Sequence, residues 1–257
     1  MDEVIEQAVA RVIEAMHDNL GEQLTIDDMA RTAMFSKFHF SRIFREVTGV
    51  SPGRFLSALR LQEAKRLLVS TSLSVADISN QVGYTSVGTF SSRFKSRVGV
   101  APTMYRQRGG FAHQISTDNN GNTAGTRSAT VRGEIFAPPA GEVGPVFAGL
   151  FPDWIPQGQP VRCTVLHHPG PYVLEDVPQG TWHLLVHSVA PGLEKAAPDQ
   201  LSHAQAPSVG SNGPIIIRPD TFVRLADVRL RPMRAFDPPV LLALVDVRSV
   251  ALSATAS

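Results

Sequence analysis

Two short stretches of the sequence place hydroxyl, lysine and arginine side chains at helical spacing. These groups hydrogen-bond base edges and phosphate oxygens of nucleic acids. The first stretch, residues 37–47, carries Lys37, Ser41, Arg42 and Arg45 on one face. The second, residues 87–97, carries Thr89, Ser91, Ser92 and Lys95. The opposite faces are apolar, with Phe40, Ile43, Phe44 and Val47 in the first stretch and Phe90 and Phe94 in the second. Both stretches are therefore predicted to be amphipathic helices whose outer faces suit contact with DNA.

These two helices belong to an internal repeat, which predicts how they are positioned. Thr25-Ile26-x-Asp28-Met29 matches Ser74-Val75-x-Asp77-Ile78, and further along Phe44-Arg45 matches Phe94-Lys95. Thr25 with Asp28, and Ser74 with Asp77, have the spacing of a capping box. Ser36 and Ser86 are the predicted N-caps of the two outer-face helices, and Gly49 and Gly99 their ends. The sequence therefore predicts one helix–turn–helix unit that occurs twice and is joined by a long helix over 52–70.

The distribution of charge supports a polyanionic partner for this part of the chain alone. The 257 residues carry a formal net charge of +1, but residues 24–110 hold 13 Lys and Arg against 5 Asp and Glu, a net +8. Residues 1–23 have a net charge of −5 and residues 111–257 one of −2. The alternative interpretation is a pair of helical hairpins that has only a structural role and whose basic faces are solvated. Duplicated caps combined with a concentrated basic block favour DNA binding.

The second repeat resembles the signature of AraC-type (AraC/XylS) transcription regulators. The similarity covers Leu24 to Arg108 and is carried by Ala76-x-x-Ser79-x-x-Val82-Gly83-Tyr84, Phe90-Ser91, Phe94-Lys95 and Gly99-Val100-Ala101-Pro102-x-x-Tyr105-Arg106. The resemblance implies seven helices and two recognition helices that enter successive major-groove segments of duplex DNA. It also implies RNA polymerase as a partner and a bacterial, cytoplasmic setting. The acidic N-terminus and the lack of a long apolar run fit the absence of a leader or membrane segment.

The resemblance and the outer-face pattern together nominate twelve DNA-contacting residues. They are Ser36, Lys37, Phe38, Ser41, Arg42 and Arg45 in the first unit, and Ser86, Gly88, Thr89, Ser91, Ser92 and Lys95 in the second. Arg42 is the strongest single candidate, because arginine can bond guanine O6 and N7 together. Phe38 either touches a thymine methyl or is a partly buried aromatic on the helix face.

Two departures from the family pattern predict that the two units contribute unequally to sequence specificity. The family commonly has arginine where this chain has Ser92, and an arginine follows at Arg93, which the repeat aligns with the inner Ile43. Val87 and Gly88 give the second helix little hydrogen-bonding reach. We therefore expect the first unit to contribute more of the sequence specificity.

The second half of the chain has the pattern of an antiparallel β-sandwich. Strands are predicted at 131–136, 146–151, 161–166, 172–177, 181–187, 215–217, 222–225 and 240–247, and residues 193–214 are predicted to be an irregular loop. Gly158-Gln-Pro-Val161, Gly170-Pro-Tyr172 and Pro178-x-Gly180-Thr181-Trp182 resemble transthyretin-like, carboxypeptidase-regulatory-like domains. The predicted organisation is a multidomain chain, α then β. An all-α double helix–turn–helix domain spans 1–108, a flexible linker 109–130, and a ligand-sensing or interaction sandwich 131–250.

Catalytic and metal-binding chemistry is weakly represented. His183 and His187 share one face of a predicted strand, with His167 and His168 nearby, yet nothing else indicates a metal site. Cys163 alternates with Val161 and Val165 and is expected to be a buried strand residue. The interpretation is therefore a sequence-specific regulator without catalytic residue, metal or cofactor, in which the sandwich binds an effector or a second subunit. The alternatives are an alkyl-transfer repair protein acting through Cys163, and an architectural DNA binder indifferent to sequence.

Overall fold

The computed structural model describes residues 3–110, 128–139, 143–190 and 207–242. These residues form two compact units. The first contains residues 3–110 together with 154–158 and 234–242, and the second contains the remaining described residues. Most of the predicted linker, residues 111–127, lies outside the described part of the chain. Within that part, no helix has the length and apolar character needed to cross a membrane.

The first unit holds seven helices, as the resemblance implied. They are α1 (Glu3–Asp18), α2 (Ile26–Thr32), α3 (Lys37–Thr48), α4 (Pro52–Ser70), α5 (Val75–Gln81), α6 (Val87–Val98) and α7 (Pro102–Gln107). The pairs α2–α3 and α5–α6 are the two repeats, and α4 is the long helix between them. The α-helical part of the predicted fold class is confirmed.

The helix ends follow the local signals in the sequence. The Thr25 hydroxyl accepts a hydrogen bond from the Asp28 amide, and the Asp28 carboxylate accepts one from the Thr25 amide. Ser74 and Asp77 repeat this capping box at α5. Gly49 ends α3 in the left-handed region, with φ of 78°, where a side chain would be strained. Ser36 occupies the N-cap position of α3, although its side chain makes no capping hydrogen bond.

The core of the helical unit repeats in the same way as the sequence. In the first repeat, Phe44 packs edge-on against both Phe40 and Phe55, with ring centroids 5.5 Å apart in each pair. In the second repeat, Phe94 lies 5.7 Å from Phe90 and 5.5 Å from Tyr105. All six rings are buried. Large aromatic rings contribute most of the apolar area in such a core, so this stack fixes which face of α3 and α6 points outward.

Among its described residues, the second unit holds nine strands in two sheets. The strands are β1 (Ala129–Phe136), β2 (Val146–Phe151), β3 (Arg162–Leu166), β4 (Pro171–Val177), β5 (Gly180–Ser188), β6 (Ser208–Ile217), β7 (Val223–Leu225), β8 (Val228–Arg229) and β9 (Arg231–Pro232). The first sheet runs β4-β1-β7, with β8 also paired to β1, and the second runs β3-β2-β5-β6-β9. Buried residues of both sheets share one core, among them Val131, Leu174, Leu150 and Leu184. The predicted β domain is confirmed, and its transthyretin-like kinship stays a prediction.

The sheets are mainly antiparallel, with one local exception. β7 and β8 both pair with β1 in parallel. β7 and β8 are two parts of one extended segment, which is interrupted at Ala226 and Asp227, opposite Gly133. A Cβ at Gly133 would lie 2.7 Å from the Ala226 carbonyl oxygen, so only glycine permits this approach.

Two predictions about the second half were wrong. Residues 208–214, expected to be part of a loop, form most of β6, because Ser208–Ile217 pairs antiparallel with β5. Residues 240–242, expected to begin a strand, are not part of a strand and pair with none within the part of the chain that the structure describes. Their carbonyl oxygens accept hydrogen bonds from the Lys65 ammonium instead. The rest of that predicted strand, residues 243–247, lies outside the described residues.

Candidate DNA interface

The first outer face is the solvent side of α3. Lys37, Phe38, Arg42 and Arg45 are exposed there, and Ser41 is half-buried. Phe38 is 87% exposed, which excludes the alternative of a partly buried ring. A ring with this exposure is accessible to a ligand. The buried phenylalanines behind α3 thus leave a face of mixed basic, hydroxyl and aromatic character.

Basic side chains on this face form ion pairs in which both members remain exposed to solvent. The Lys37 ammonium lies 2.9 Å from the Asp27 carboxylate of α2. The Arg42 guanidinium lies 3.2 Å from Glu46 Oε1 and 3.4 Å from His39 Nδ1. Exposed pairs of this kind contribute about 0–1 kcal/mol, so a phosphate or a base can displace them at small cost.

The second outer face is the solvent side of α6. Ser86, Gly88, Thr89, Ser92 and Lys95 are exposed, and Ser91 is half-buried. The Ser86 hydroxyl accepts a hydrogen bond from the Thr89 amide at 3.3 Å, which caps the helix. A Cβ added to Gly88 would meet only Ser86 Oγ within 4 Å, at 3.8 Å. This helix therefore presents short side chains and open space where α3 presents Lys37 and Phe38.

Arg93, the arginine displaced by one position from the family pattern, lies against the scaffold. Its guanidinium carbon is 5.9 Å from the centre of the Tyr84 ring, within cation–π range. This position matches the expectation from the repeat, which aligned Arg93 with the inner Ile43. Arg93 is exposed, so its charge still contributes to the potential of the face.

Two residues beside the first face were not nominated by the sequence. Met34 is 84% exposed in the turn between α2 and α3, with a left-handed φ of 60°. The repeat aligns it with Gly83, which also has a positive φ. His39 packs edge-on against Phe35, with centroids 5.0 Å apart, and its Nδ1 contacts Arg42. Met34 could have been found from its alignment with a turn glycine, and His39 from its i,i+3 relation to Arg42.

Burial shifts the pKa of one thiol and of one imidazole group in the second unit. Cys163 is buried in β3, as expected, and burial raises the pKa of its thiol to about 11. A thiol with that pKa is protonated at neutral pH and is a poor nucleophile. Burial also lowers the pKa of His183. Across the described ranges, no group of three or more His, Cys, Asp or Glu side chains is placed to hold a metal ion.

Comparison with known proteins agrees with this geometry. A family profile described as "Helix-turn-helix domain" matches residues 29–108. The HTH-type transcriptional activator AarP of Providencia stuartii is 32% identical over 98 residues, which are 38% of this chain and 73% of that protein. The chain belongs to the AraC/XylS family of DNA-binding transcription regulators. The family resemblance seen in the second repeat is thereby confirmed.

Other relatives are matched over a similar share of this chain. The RCS-specific activator RclR of Escherichia coli is 35% identical over 97 residues, and the chain spans 34% of its length. An AraC-type regulator structure from Chromobacterium violaceum is 28% identical and is similar over 40% of this chain and 93% of that one, with a TM-score of 0.39. The residues matched by the family profile, 29–108, all lie in the helical unit.

Proposed function

We propose that this AraC/XylS regulator reads a bipartite operator with α3 and α6 in successive major-groove segments of one duplex. One observation carries the proposal: the same scaffold occurs twice, and each copy presents its second helix with an exposed polar and basic face. The twelve nominated residues lie on these two faces or at their N-caps. A major groove admits one helix, and two grooves on the same side of a duplex are about 34 Å apart.

Within this reader, the α3 face supplies most of the sequence discrimination. Arg42 can bond a guanine edge at two points, Lys37 and Arg45 can contact phosphates, and Phe38 can meet a thymine methyl. The α6 face offers mainly hydroxyl groups and Lys95, so it contributes orientation and phosphate contacts. No covalent step is part of this function, and the protonated, buried Cys163 gives alkyl transfer no support.

The wider function concerns partners of the whole chain. We place the two-repeat reader in residues 1–108 and assign the β strands within residues 131–250 to effector binding or self-association, with 109–130 as the linker between them. Residues 154–158 and 234–242 belong to the helical unit. RNA polymerase is the expected second partner, as for other regulators of this type. We propose a cytoplasmic location, in which the protein would meet its operator DNA.

Selection of random duplex DNA with the full-length protein, followed by sequencing, tests the proposal. We expect enrichment of two short boxes whose centres are about one helical turn apart. In a salt series, the affinity for the enriched duplex should stay higher than the affinity for random duplex, which rests on salt-dependent phosphate contacts alone. Retention of DNA without sequence enrichment, combined with a steep salt dependence, would replace this proposal with a sequence-indifferent architectural role.

A further inference from the structure

A five-residue segment of the helical unit, Trp154–Gly158, touches the C-terminal ends of both recognition helices. At α3, a Cβ built on the terminal Gly49 would lie 3.5 Å from Trp154 Cγ, so the indole lies directly against the helix end. At α6, the Gly158 amide donates to the Arg97 carbonyl at 2.7 Å. Carbonyl groups in the last turn of a helix lack an intrahelical donor, and Gly158 supplies one. The segment thus links the two helix ends opposite the N-caps.

The second segment of this unit, Arg234–Leu242, holds the first in place. The amides of Leu241 and Leu242 both donate to the Pro156 carbonyl, at 3.0 and 3.3 Å. Ile155 and Leu241 are buried. The two segments therefore form one hydrogen-bonded layer, to which each contributes a buried apolar side chain.

Lys65 anchors this layer to α4, the helix that joins the two repeats. Its ammonium donates to the carbonyl oxygens of residues 240, 241 and 242, at 3.3, 3.0 and 3.2 Å. An ammonium has three donors and no acceptor, so this side chain uses all three donors on consecutive backbone carbonyl groups. Burial lowers the pKa of Lys65 to about 8, and the three oxygens compensate the charge that remains at neutral pH.

We propose that Trp154–Gly158, secured by Arg234–Leu242, is a strut that sets the separation and relative rotation of α3 and α6. It thereby determines the spacing between the two DNA boxes that the protein accepts. This inference rests on the proposed function, in which both helices read one duplex. Trp154 and Lys65 are positioning residues, because they act through the recognition helices and not on DNA.

The physical basis is the effective concentration of α6 at its DNA box once α3 is bound to the first box. A rigid connection concentrates α6 at one place on the duplex, whereas a loose one spreads it over several. Adding one base pair between the boxes moves the second groove by about 3.4 Å and turns it by roughly 35°. A rigid strut therefore rejects such a duplex, and a loosened one tolerates it.

Binding of full-length variants to duplexes of altered spacing tests the strut. The probes are the selected two-box duplex, the same duplex with one or two base pairs added or removed, and a duplex with one box only. We expect the wild-type protein to prefer the selected spacing by about tenfold or more over a one-base-pair change. Trp154→Ala and Lys65→Met should reduce that preference to about threefold or less, with single-box affinity within about twofold of wild type.

Two further variants separate positioning from folding. Trp154→Phe keeps an aromatic ring against Gly49 and should restore most of the spacing preference. Phe222→Ala removes an exposed ring of the second unit and serves as the control, with no expected effect. The thermal midpoint of each variant is measured in parallel.

The outcomes distinguish the strut from the function on which it rests. If Trp154→Ala and Lys65→Met retain the wild-type spacing preference, the strut is refuted while the bipartite reader stands. If either variant loses single-box affinity as strongly as two-box affinity, the layer is a folding element and the strut is likewise refuted. If the wild-type protein shows no preferred spacing at all, the two-groove function fails, and the strut fails with it.

Discussion

Replacement of Arg42 by alanine should weaken specific DNA binding more than replacement of Ser92, its counterpart on α6. In the free protein the Arg42 guanidinium is paired with Glu46, at 3.2 Å, and both side chains are more than half exposed. Leaving this pair costs about 1 kcal/mol at most. A bidentate contact with guanine is worth about 1–3 kcal/mol of discrimination. The expected rise in Kd for Arg42→Ala is therefore about 5- to 150-fold.

The corresponding loss for Ser92→Ala is smaller because a hydroxyl makes one neutral hydrogen bond. Such a bond contributes about 0.5–1.5 kcal/mol, which is a rise in Kd of about 2- to 12-fold. Fluorescence anisotropy on the selected duplex measures both values. Arg11→Ala, which removes one charge from the exposed side of α1, is the charge-matched control.

Base analogues show whether Arg42 reads a base or a phosphate. Replacement of the contacted guanine by 7-deazaguanine removes the N7 acceptor, so wild-type binding should weaken and Arg42→Ala should be insensitive to the change. Glu46→Gln removes a carboxylate that competes for the guanidinium and repels phosphates, so it should strengthen binding several-fold at low salt. Equal losses for Arg42→Ala and Ser92→Ala would refute the ranking. An equal loss on selected and random DNA would reassign Arg42 to phosphate.

Three other predictions follow from single positions. Lys95→Ala should lower the slope of log K against log salt by about 0.9 and weaken selected and random duplexes alike, which a salt titration measures; an unchanged slope would remove Lys95 from the phosphate contacts. Met34→Gly should raise the free energy of unfolding by about 0.5–1 kcal/mol in urea titrations, because glycine relieves the left-handed φ of 60°; Met34→Ala, which keeps the Cβ, should show no such gain. The pKa of Lys65, about 8 in the folded protein, lies below its ordinary value of 10.5, so the unfolded chain binds more protons between these values. The free energy of unfolding of the wild-type protein should therefore rise with pH across this interval relative to Lys65→Met, and parallel pH profiles for the two proteins would contradict the assignment.

The helical unit was predictable because its signals are local. The capping boxes, the terminal glycines and the alternation of aromatic and polar residues each act within a few positions of the chain. These signals occur in both repeats, so the positions of α3, α4 and α6 and the outward faces of α3 and α6 followed from the residues. The left-handed conformation of Met34 was not predicted, because no local sequence signal marks a methionine in such a turn.

The second unit was less predictable because strand partners are distant in sequence. Residues 208–214 have the glycine, serine and asparagine content of a loop, but the exposed backbone of β5 offers hydrogen bonds that outweigh this composition. Residues 240–242 have the apolar content of a strand, yet their carbonyl groups face Lys65. In both cases the partner decided the structure, and the partner is visible only after folding.

The sequence by itself determined the repeated helix–turn–helix architecture, the basic block and the polar and basic side chains on the outer faces of α3 and α6, since caps, periodicity and charge are properties of adjacent residues. Only the tertiary structure decided that Trp154, Gly158 and residues 240–242 belong to the helical unit. It also decided that the Lys65 ammonium donates to three carbonyl oxygens and that the Phe38 ring is exposed outside the core. The physical reason is the range of the interactions. Hydrogen bonds across about 175 residues of chain depend on how both ends fold, and no local pattern encodes them.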